Sequence, residues 1–251
     1  MKNAIKLLGI IALAAIIGFS MASCDDGGGD PPTGMEELNF TGQQVYTEDF
    51  NEETFKLSYT AFNGTLNLTD YMGGTGSVTT GGKLSYTKGT PTATYLNDLT
   101  NWLDDLDDQG YTEITPATTS VKCATLDAFD ISGTSNYYSM TKEYYSMSGN
   151  EASGSYTFTN VRYVYVTDDI LITAKGYTDN GSEVDEGFTY SWNDTYRNIS
   201  LNLKKGWNAV YSKSTGAGTR TASGSTSTRT IEVAVGDPSN TRWVLNGDND
   251  D

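Results

Sequence analysis

The sequence predicts an all-β protein, an antiparallel β-sandwich or barrel carrying one short α-helix, preceded by a cleaved signal and a flexible tether. Three observations carry this. From Leu38 onward Thr, Tyr, Val and Ile recur at alternating positions, broken every few residues by Gly, Asn and Asp. Apolar residues hold a helical spacing at one place only. The chain ahead of residue 37 has another texture, apolar first and then acidic and glycine-rich.

The leader comes first. Lys2 and Lys6 give a positive start, Leu7 to Phe19 is an unbroken run of 13 apolar or small residues, and small residues lead to Cys24. That order describes a secretory signal over residues 1–23. The run is shorter than the ~20 residues a permanent membrane helix needs. Met21-Ala22-Ser23-Cys24 resembles the lipobox of bacterial lipoproteins. The resemblance implies cleavage before Cys24, a diacylglycerol on its thiol and a further acyl chain, palmitate or similar, on the new amino terminus. It also implies a place in the cell envelope, held by acyl chains, with the outer membrane the expected site. Several chains hold firmly where one is marginal, because each buried CH₂ contributes about 0.8 kcal/mol. Residues 24–36 then form the lipidated cysteine and tether, with no side chain from Asp25 to Gly34 suited to a core.

Charge excludes several partners. The chain carries 32 acidic and 16 basic residues, and Lys2 and Lys6 leave with the leader. Phosphate binding needs a basic patch, so a nucleic-acid partner is not expected. The chain has no histidine and two cysteines. That removes Ser-His-Asp and Cys-His catalysis and most zinc chemistry. With Cys24 given to lipid, Cys123 is alone, and it reads as a small buried hydrophobe.

Residues 37–246 read as a single all-β domain, with a sub-domain boundary near 110–120 as the alternative. Thr54 to Tyr59 alternates, Asn63-Gly64 interrupts and Thr65 to Leu68 resumes, which predicts a hairpin. Gly73 to Val78 and Gly81 to Tyr86 predict another, ended by Pro91. Leu96, Leu99, Leu103 and Leu106 predict the helix, with Thr94 as N-cap and Gly110 at C′. Val121 to Leu126 is a strand, and Ile131 to Asn150 fits no single pattern. Tyr156 to Tyr165 and Ile170 to Ala174 alternate around a turn at Thr167-Asp168-Asp169. Gly176 to Gly187 reads as a polar excursion. Phe188 to Trp192, Ile199 to Leu203 and Trp207 to Tyr211 read as a meander with turns at Asn193-Asp194 and Lys204-Lys205-Gly206. Ser212 to Thr230 has no Val, Ile, Leu or aromatic residue and reads as a mobile loop. Ile231 to Val235 and Arg242 to Leu245 are the last strands, and 247–251 is an acidic tail.

Several segments resemble uncharacterised lipoproteins of spirochaetes and some Bacteroidetes: Gly76 to Pro91, Tyr163 to Asp169, Leu203 to Asn208 and Arg242 to Leu245. The resemblance supports address and fold and carries over no site.

Three constellations are candidates for chemistry. Asp105, Asp107, Gln109 and Gly110 fall at positions 1, 3, 5 and 6 of a calcium loop, but Pro116 stands where the bidentate Glu belongs. Weak calcium binding at Asp105 and Asp107 competes with a solvated helix face; no other cofactor is implied. Glu143, Glu151, Asp168, Asp169, Glu183, Asp185 and Glu186 supply carboxylates for a two-acid glycoside hydrolase. The pairs Tyr137-Tyr138 and Tyr144-Tyr145 cannot both point inward on a strand, so some of these rings are expected to face solvent and stack on sugar. Trp192, Trp207 and Trp243 are assigned to the core. The expected function is a lipid-anchored, non-enzymatic binding or structural module of the envelope, with a glycan or an envelope protein as partner. A Tyr-based carbohydrate-binding lipoprotein is the alternative, and the hydrolase stands behind both.

Overall fold

Two long hairpins form the spine. β12 (Ser139–Asn150) turns into β13 (Ser153–Val166), and β18 (Gly206–Arg220) turns into β19 (Gly224–Val235). β13 pairs with β18 along its whole length. The computed structural model describes residues 34–247 apart from 52, 53, 55, 133–136, 151 and 186. Cys24, most of the tether and the tail beyond Gly247 lie outside the described residues.

The first part of the chain supplies β1 (Leu38–Asn39), β2 (Val45–Asn51), β3 (Lys56–Ala61), β4 (Leu66–Thr69), β5 (Thr75–Thr79), β6 (Lys83–Ser85), β7 (Thr87–Lys88) and β8 (Asn97–Asp98). Helix α1 (Leu99–Asp108), β9 (Thr112–Thr115), β10 (Lys122–Leu126) and β11 (Ala128–Ser132) follow. The later chain adds β14 (Ile170–Lys175), β15 (Thr178–Asp185), β16 (Phe188–Tyr196), β17 (Ile199–Leu203) and β20 (Arg242–Asn246). They form a large mixed sheet of 15 strands, a three-stranded sheet β17-β14-β9 and the pair β1-β7. The layers make an all-β sandwich, and among the described residues no closed barrel is found.

Alternation along β13 builds two cores. Val161, Tyr163 and Tyr165 face one side, where they meet Trp207, Trp243, Phe129, Phe40 and Tyr86. Val164 and Val166 face the other, where the three-stranded sheet and Leu99, Leu103 and Leu106 of α1 cover them. Asn208 is fully buried, and its amide donates to the carbonyls of Lys204 (2.7 Å) and Gly206 (2.9 Å), which fixes the expected turn at Lys204-Lys205-Gly206.

Several expectations need correction. The helix begins at Leu99 after Asp98, and Thr94 lies in a separate 3₁₀ turn, Ala93–Tyr95. Gly110 follows the helix at φ +97, where a side chain would be strained. Asn63-Gly64 closes no hairpin, because β3 pairs with β2 while β4 pairs with β5 and β11. The tether ends sooner than residue 36, since Met35 exchanges backbone hydrogen bonds with Trp207 (2.9 and 2.8 Å). Gly176 to Gly187 contains strand β15, Asn193-Asp194 lies inside β16, and Ser212 to Thr230 belongs to β18 and β19 with a turn at Thr221 to Ser223. β16 runs parallel to β19, so the last strands are not a simple meander.

The physical reason lies in the sheet's far half. Beyond Val161, Val210 and Ile231 the six strands β12, β13, β18, β19, β16 and β15 continue as one layer. Among the described residues, the extension sends Tyr211 of β18 against the first core and Tyr196 of β16 against the second, both at its inner margin, and none of its fully buried side chains belongs to either core. The residues buried in it, Thr159, Ser214 and Asp194, are polar, so there is no apolar alternation to detect. Thr and Tyr, which suit a pleated half-exposed surface, carry the β preference instead.

Candidate functional site

The uncovered extension, called the wing here, has two unlike faces. Directly opposed residues share a face, so the register reads out each row across β12, β13, β18, β19, β16 and β15 in turn. At the outer end one face presents Asn150, Ser153, Thr219, Thr226, Ser191 and Ser182. The next row inward is Ser148, Ser155, Ala217, Thr228, Asn193 and Asn180, and the next is Ser146, Thr157, Thr215, Thr230, Thr195 and Thr178. Every position in these rows is Ser, Thr or Asn except Ala217. Hydroxyls link across strands: Thr219 Oγ1 to Thr226 Oγ1 at 2.7 Å, Ser148 Oγ to Ser155 Oγ at 3.0 Å and Ser191 Oγ to Ser182 Oγ at 3.3 Å. Neighbouring hydroxyls repeat about 4.8 Å across the strands and about 6.8 Å along them.

This face is not flat. Twist of the long ribbons leaves a shallow trough of about 480 Å³ over the hairpin ends, where Ser155, Ala217, Thr219 and Thr228 stand around Gly154 and Gly218. Its wall holds no ionisable, aromatic or large aliphatic side chain. Small residues leave backbone and methyl surface as a floor, with hydroxyls that both donate and accept.

The other face is laced shut. Arg229 Nε and Nη2 donate to Asp194 Oδ2 at 3.0 and 2.5 Å, and Nη2 lies 3.3 Å from the Tyr196 hydroxyl. Tyr196 stacks on Tyr177 with ring centroids 4.3 Å apart. Tyr156 shares a 3.2 Å hydrogen bond with Ser214, and Tyr145 packs against Tyr156 and Phe158. Trp192 donates to Asp179 Oδ2 at 3.1 Å and is half-buried here, unlike Trp207 and Trp243 in the core.

The four tyrosines do not assemble. Tyr137 is half-buried edge-on to Phe62, while Tyr138 is 57% exposed at the start of β12. Tyr144 and Tyr145 lie further along β12 on opposite faces, Tyr144 toward the hydroxyl rows and Tyr145 toward the laced side.

Asp105 and Asp107 sit on the exposed side of α1. Two residues apart on a helix, they point in different directions. Among the described residues no group of three or more Asp, Glu, Cys or His is placed to hold a metal ion. Cys123 is buried, and burial first and Asp98 second push its thiol up to about 11.

Of the candidate acids, Asp168 and Asp169 pair with Lys205 and Lys204 beside a turn, Glu183 and Asp185 lie on β15, and Glu151 and Glu186 are outside the described residues. Glu143 has an acidic neighbour that the sequence did not indicate, Glu48 of β2. Burial raises both carboxyls. Glu48 is pushed up to about 7 by burial and then by the charge of Glu143, although the residue as a whole is exposed. Glu143 accepts from Thr141 Oγ1 at 2.8 Å. Tyr59, opposite Glu48, bridges to β12: its hydroxyl accepts from the Tyr145 N–H (2.6 Å) and donates to the Tyr145 carbonyl (3.1 Å). The Arg242 guanidinium lies 4.2 Å from the Tyr59 ring centre. These contacts fasten the β2-β3 hairpin onto β12.

The hydroxyl face was missed because its central strands read as a loop. The signal available was the density of Thr and Ser at alternating places in Ser212 to Thr230, between two segments of clear strand. Comparison with protein-family models, with curated proteins and with solved structures finds no match for this chain.

Proposed function

We propose that this chain is a lipid-anchored protein of the bacterial cell envelope, held by acyl chains on Cys24, and that its wing is a non-enzymatic binding surface for neutral polysaccharide. The observation that carries the ligand class is the trough whose wall is hydroxyl, glycine and alanine. An anion meets a chain of net charge −16. A cation finds no carboxylate in the trough, and an apolar ligand finds no large apolar side chain there. A neutral sugar polymer has hydroxyls to exchange hydrogen bonds with the rows and C–H faces to lie on the floor. The polymer spans several rows, so many weak contacts add along it.

Two experiments test the parts separately. Growth with labelled fatty acid should label the wild type and not Cys24→Ala; equal labelling removes the anchor. Affinity electrophoresis of the full chain in mild detergent through gels containing neutral glucans should retard the wild type. Ala217→Lys puts a long charged side chain on the trough floor and should abolish the retardation. A wild type that migrates freely through every neutral glycan removes the ligand class.

A further inference from the structure

The wing ends in β15, which among the described residues pairs with β16 alone and closes one end of the large sheet. Its register with β16 is unbroken from Thr178 to Asp185. Tyr177, one residue before it, exchanges both backbone hydrogen bonds with Tyr196 at 3.0 and 2.8 Å. Antiparallel pairs alternate between bonded and non-bonded. Asp179, Gly181, Glu183 and Asp185 therefore bond to β16, and Thr178, Asn180, Ser182 and Val184 turn their N–H and C=O outward. That is a template for another strand.

The side chains on this edge carry a second pattern. Thr178, Asn180 and Ser182 continue the hydroxyl face, and Val184 is 67% exposed. Asp179, Glu183 and Asp185 line the opposite side and are exposed. Between them stands Gly181, with the Trp192 ring laid across it: a Cβ on Gly181 would come within 2.3 Å of the indole. An added strand thus has one row of side chains beside the hydroxyls. Its other row falls beside acid, indole, acid and acid.

We infer that β15 is a docking edge for an extended basic segment of another protein, which adds as a further strand with Lys or Arg at alternate positions. Cationic side chains pair with Asp179, Glu183 and Asp185, and the one beside Gly181 meets the Trp192 ring, which attracts cations to its face. A second copy of this chain is a poor occupant, because pairing two β15 edges sets carboxylates beside carboxylates. The strand-addition mode draws affinity from main-chain hydrogen bonds and selectivity from alternate side chains.

Fluorescence anisotropy at physiological salt tests this with the full chain in mild detergent and three labelled nonapeptides. The first alternates Thr with Lys, the second has the same composition with all lysines contiguous, and the third alternates Thr with Glu. The alternating basic peptide should bind at least about tenfold tighter than the contiguous one, and the acidic one should not bind. Ser182→Pro removes an outward N–H, which an edge strand tolerates, together with the exposed 3.3 Å hydroxyl contact to Ser191. It should keep the thermal midpoint and lose at least about tenfold in affinity. Glu183→Lys with Asp185→Lys should invert the preference toward the acidic peptide. Equal binding of the two basic peptides, or full affinity in folded Ser182→Pro, overturns the inference. So does sedimentation of the wild type as a dimer that Ser182→Pro dissolves, since that assigns the edge to a second copy.

Discussion

Asp194→Asn tests whether polar lacing holds the wing together. Asp194 and Arg229 sit opposite each other on β16 and β19, with side chains 11% and 13% exposed and two hydrogen bonds at 3.0 and 2.5 Å. Removing one partner of a buried pair costs about 3–5 kcal/mol, because the survivor stays desolvated without its counter-charge. The Tyr196 hydroxyl lies 3.3 Å from Arg229 and the site keeps some exposure, which places the cost near the lower end, about 3 kcal/mol. That is a large share of the ~5–15 kcal/mol that holds a typical domain. Urea unfolding should therefore show a clear drop for Asp194→Asn and for Arg229→Met. The double variant should lose less than the sum, with a coupling of about 1–3 kcal/mol. Hydrogen exchange adds the location. Protection should fall in β16 and the outer half of β19, while Val161 to Val166 keeps its own. Single variants within about 0.5 kcal/mol of wild type, with unchanged exchange in β16, would refute the reasoning.

Three further outcomes follow from the same contacts. The folded Glu48 carboxyl titrates near 7 against 4.5 for the free group, so its ionisation opposes the native arrangement. Its support for the β2-β3 hairpin is complete below the free-group value and is lost as pH rises through about 7, and exchange protection there should fall between about pH 5 and pH 8. Glu48→Gln should flatten that profile; an unchanged profile assigns the titration elsewhere. Tyr59→Phe strands the Tyr145 N–H that it met at 2.6 Å, and should cost about 1–3 kcal/mol in urea unfolding. An unshifted midpoint would mean that the hairpin is not fastened there. Cys123, with its thiol near 11 and buried, should react with a thiol reagent only as the chain opens; a burst in native protein contradicts the burial.

How much of this was legible depends on which residues had to be buried. Ile170, Ile172 and Ala174 alternate because one side of β14 packs into a core, and the strand is visible in the sequence. Leu99, Leu103 and Leu106 betray α1 for the same reason, though Leu96 drew the expected start too early. Ser212 to Thr230 has the opposite problem. Its strands gain their order from neighbours far along the chain, such as β13 against β18 and the parallel pairing of β19 with β16, and no local pattern reports such a partner. The acid pair of Glu48 and Glu143 was out of reach similarly. Glu143 stood among many acids, and its partner comes from a hairpin whose pairing the Asn63-Gly64 signal misassigned.

A sheet with two polar faces has weak register, because slipping by one residue buries nothing wrongly. The wing avoids this by inheritance. β13 runs from it into Val161 to Val166, which pack in both cores, β18 enters it after Trp207 to Val210, and β19 is pinned at its other end by Val233. Their outer halves have no freedom to slide. β16 and β15 lack such an anchor along most of their length. Asp194 with Arg229 pins β16, and the Tyr177–Tyr196 stack and Trp192 over Gly181 pin β15. Order thus thins from β13 outward, and the strand with the least of it is also the one whose outward backbone groups have, among the described residues, no strand beside them. The trough lies on β12, β13, β18 and β19, strands that the cores hold in place, while the docking edge β15 is held by its pairing with β16 and by these side chains. Cutting the Tyr177–Tyr196 stack with Tyr177→Ala should loosen β15 and weaken the basic peptide without changing retardation by glycan. Equal loss of both would show that the wing is a single cooperative unit.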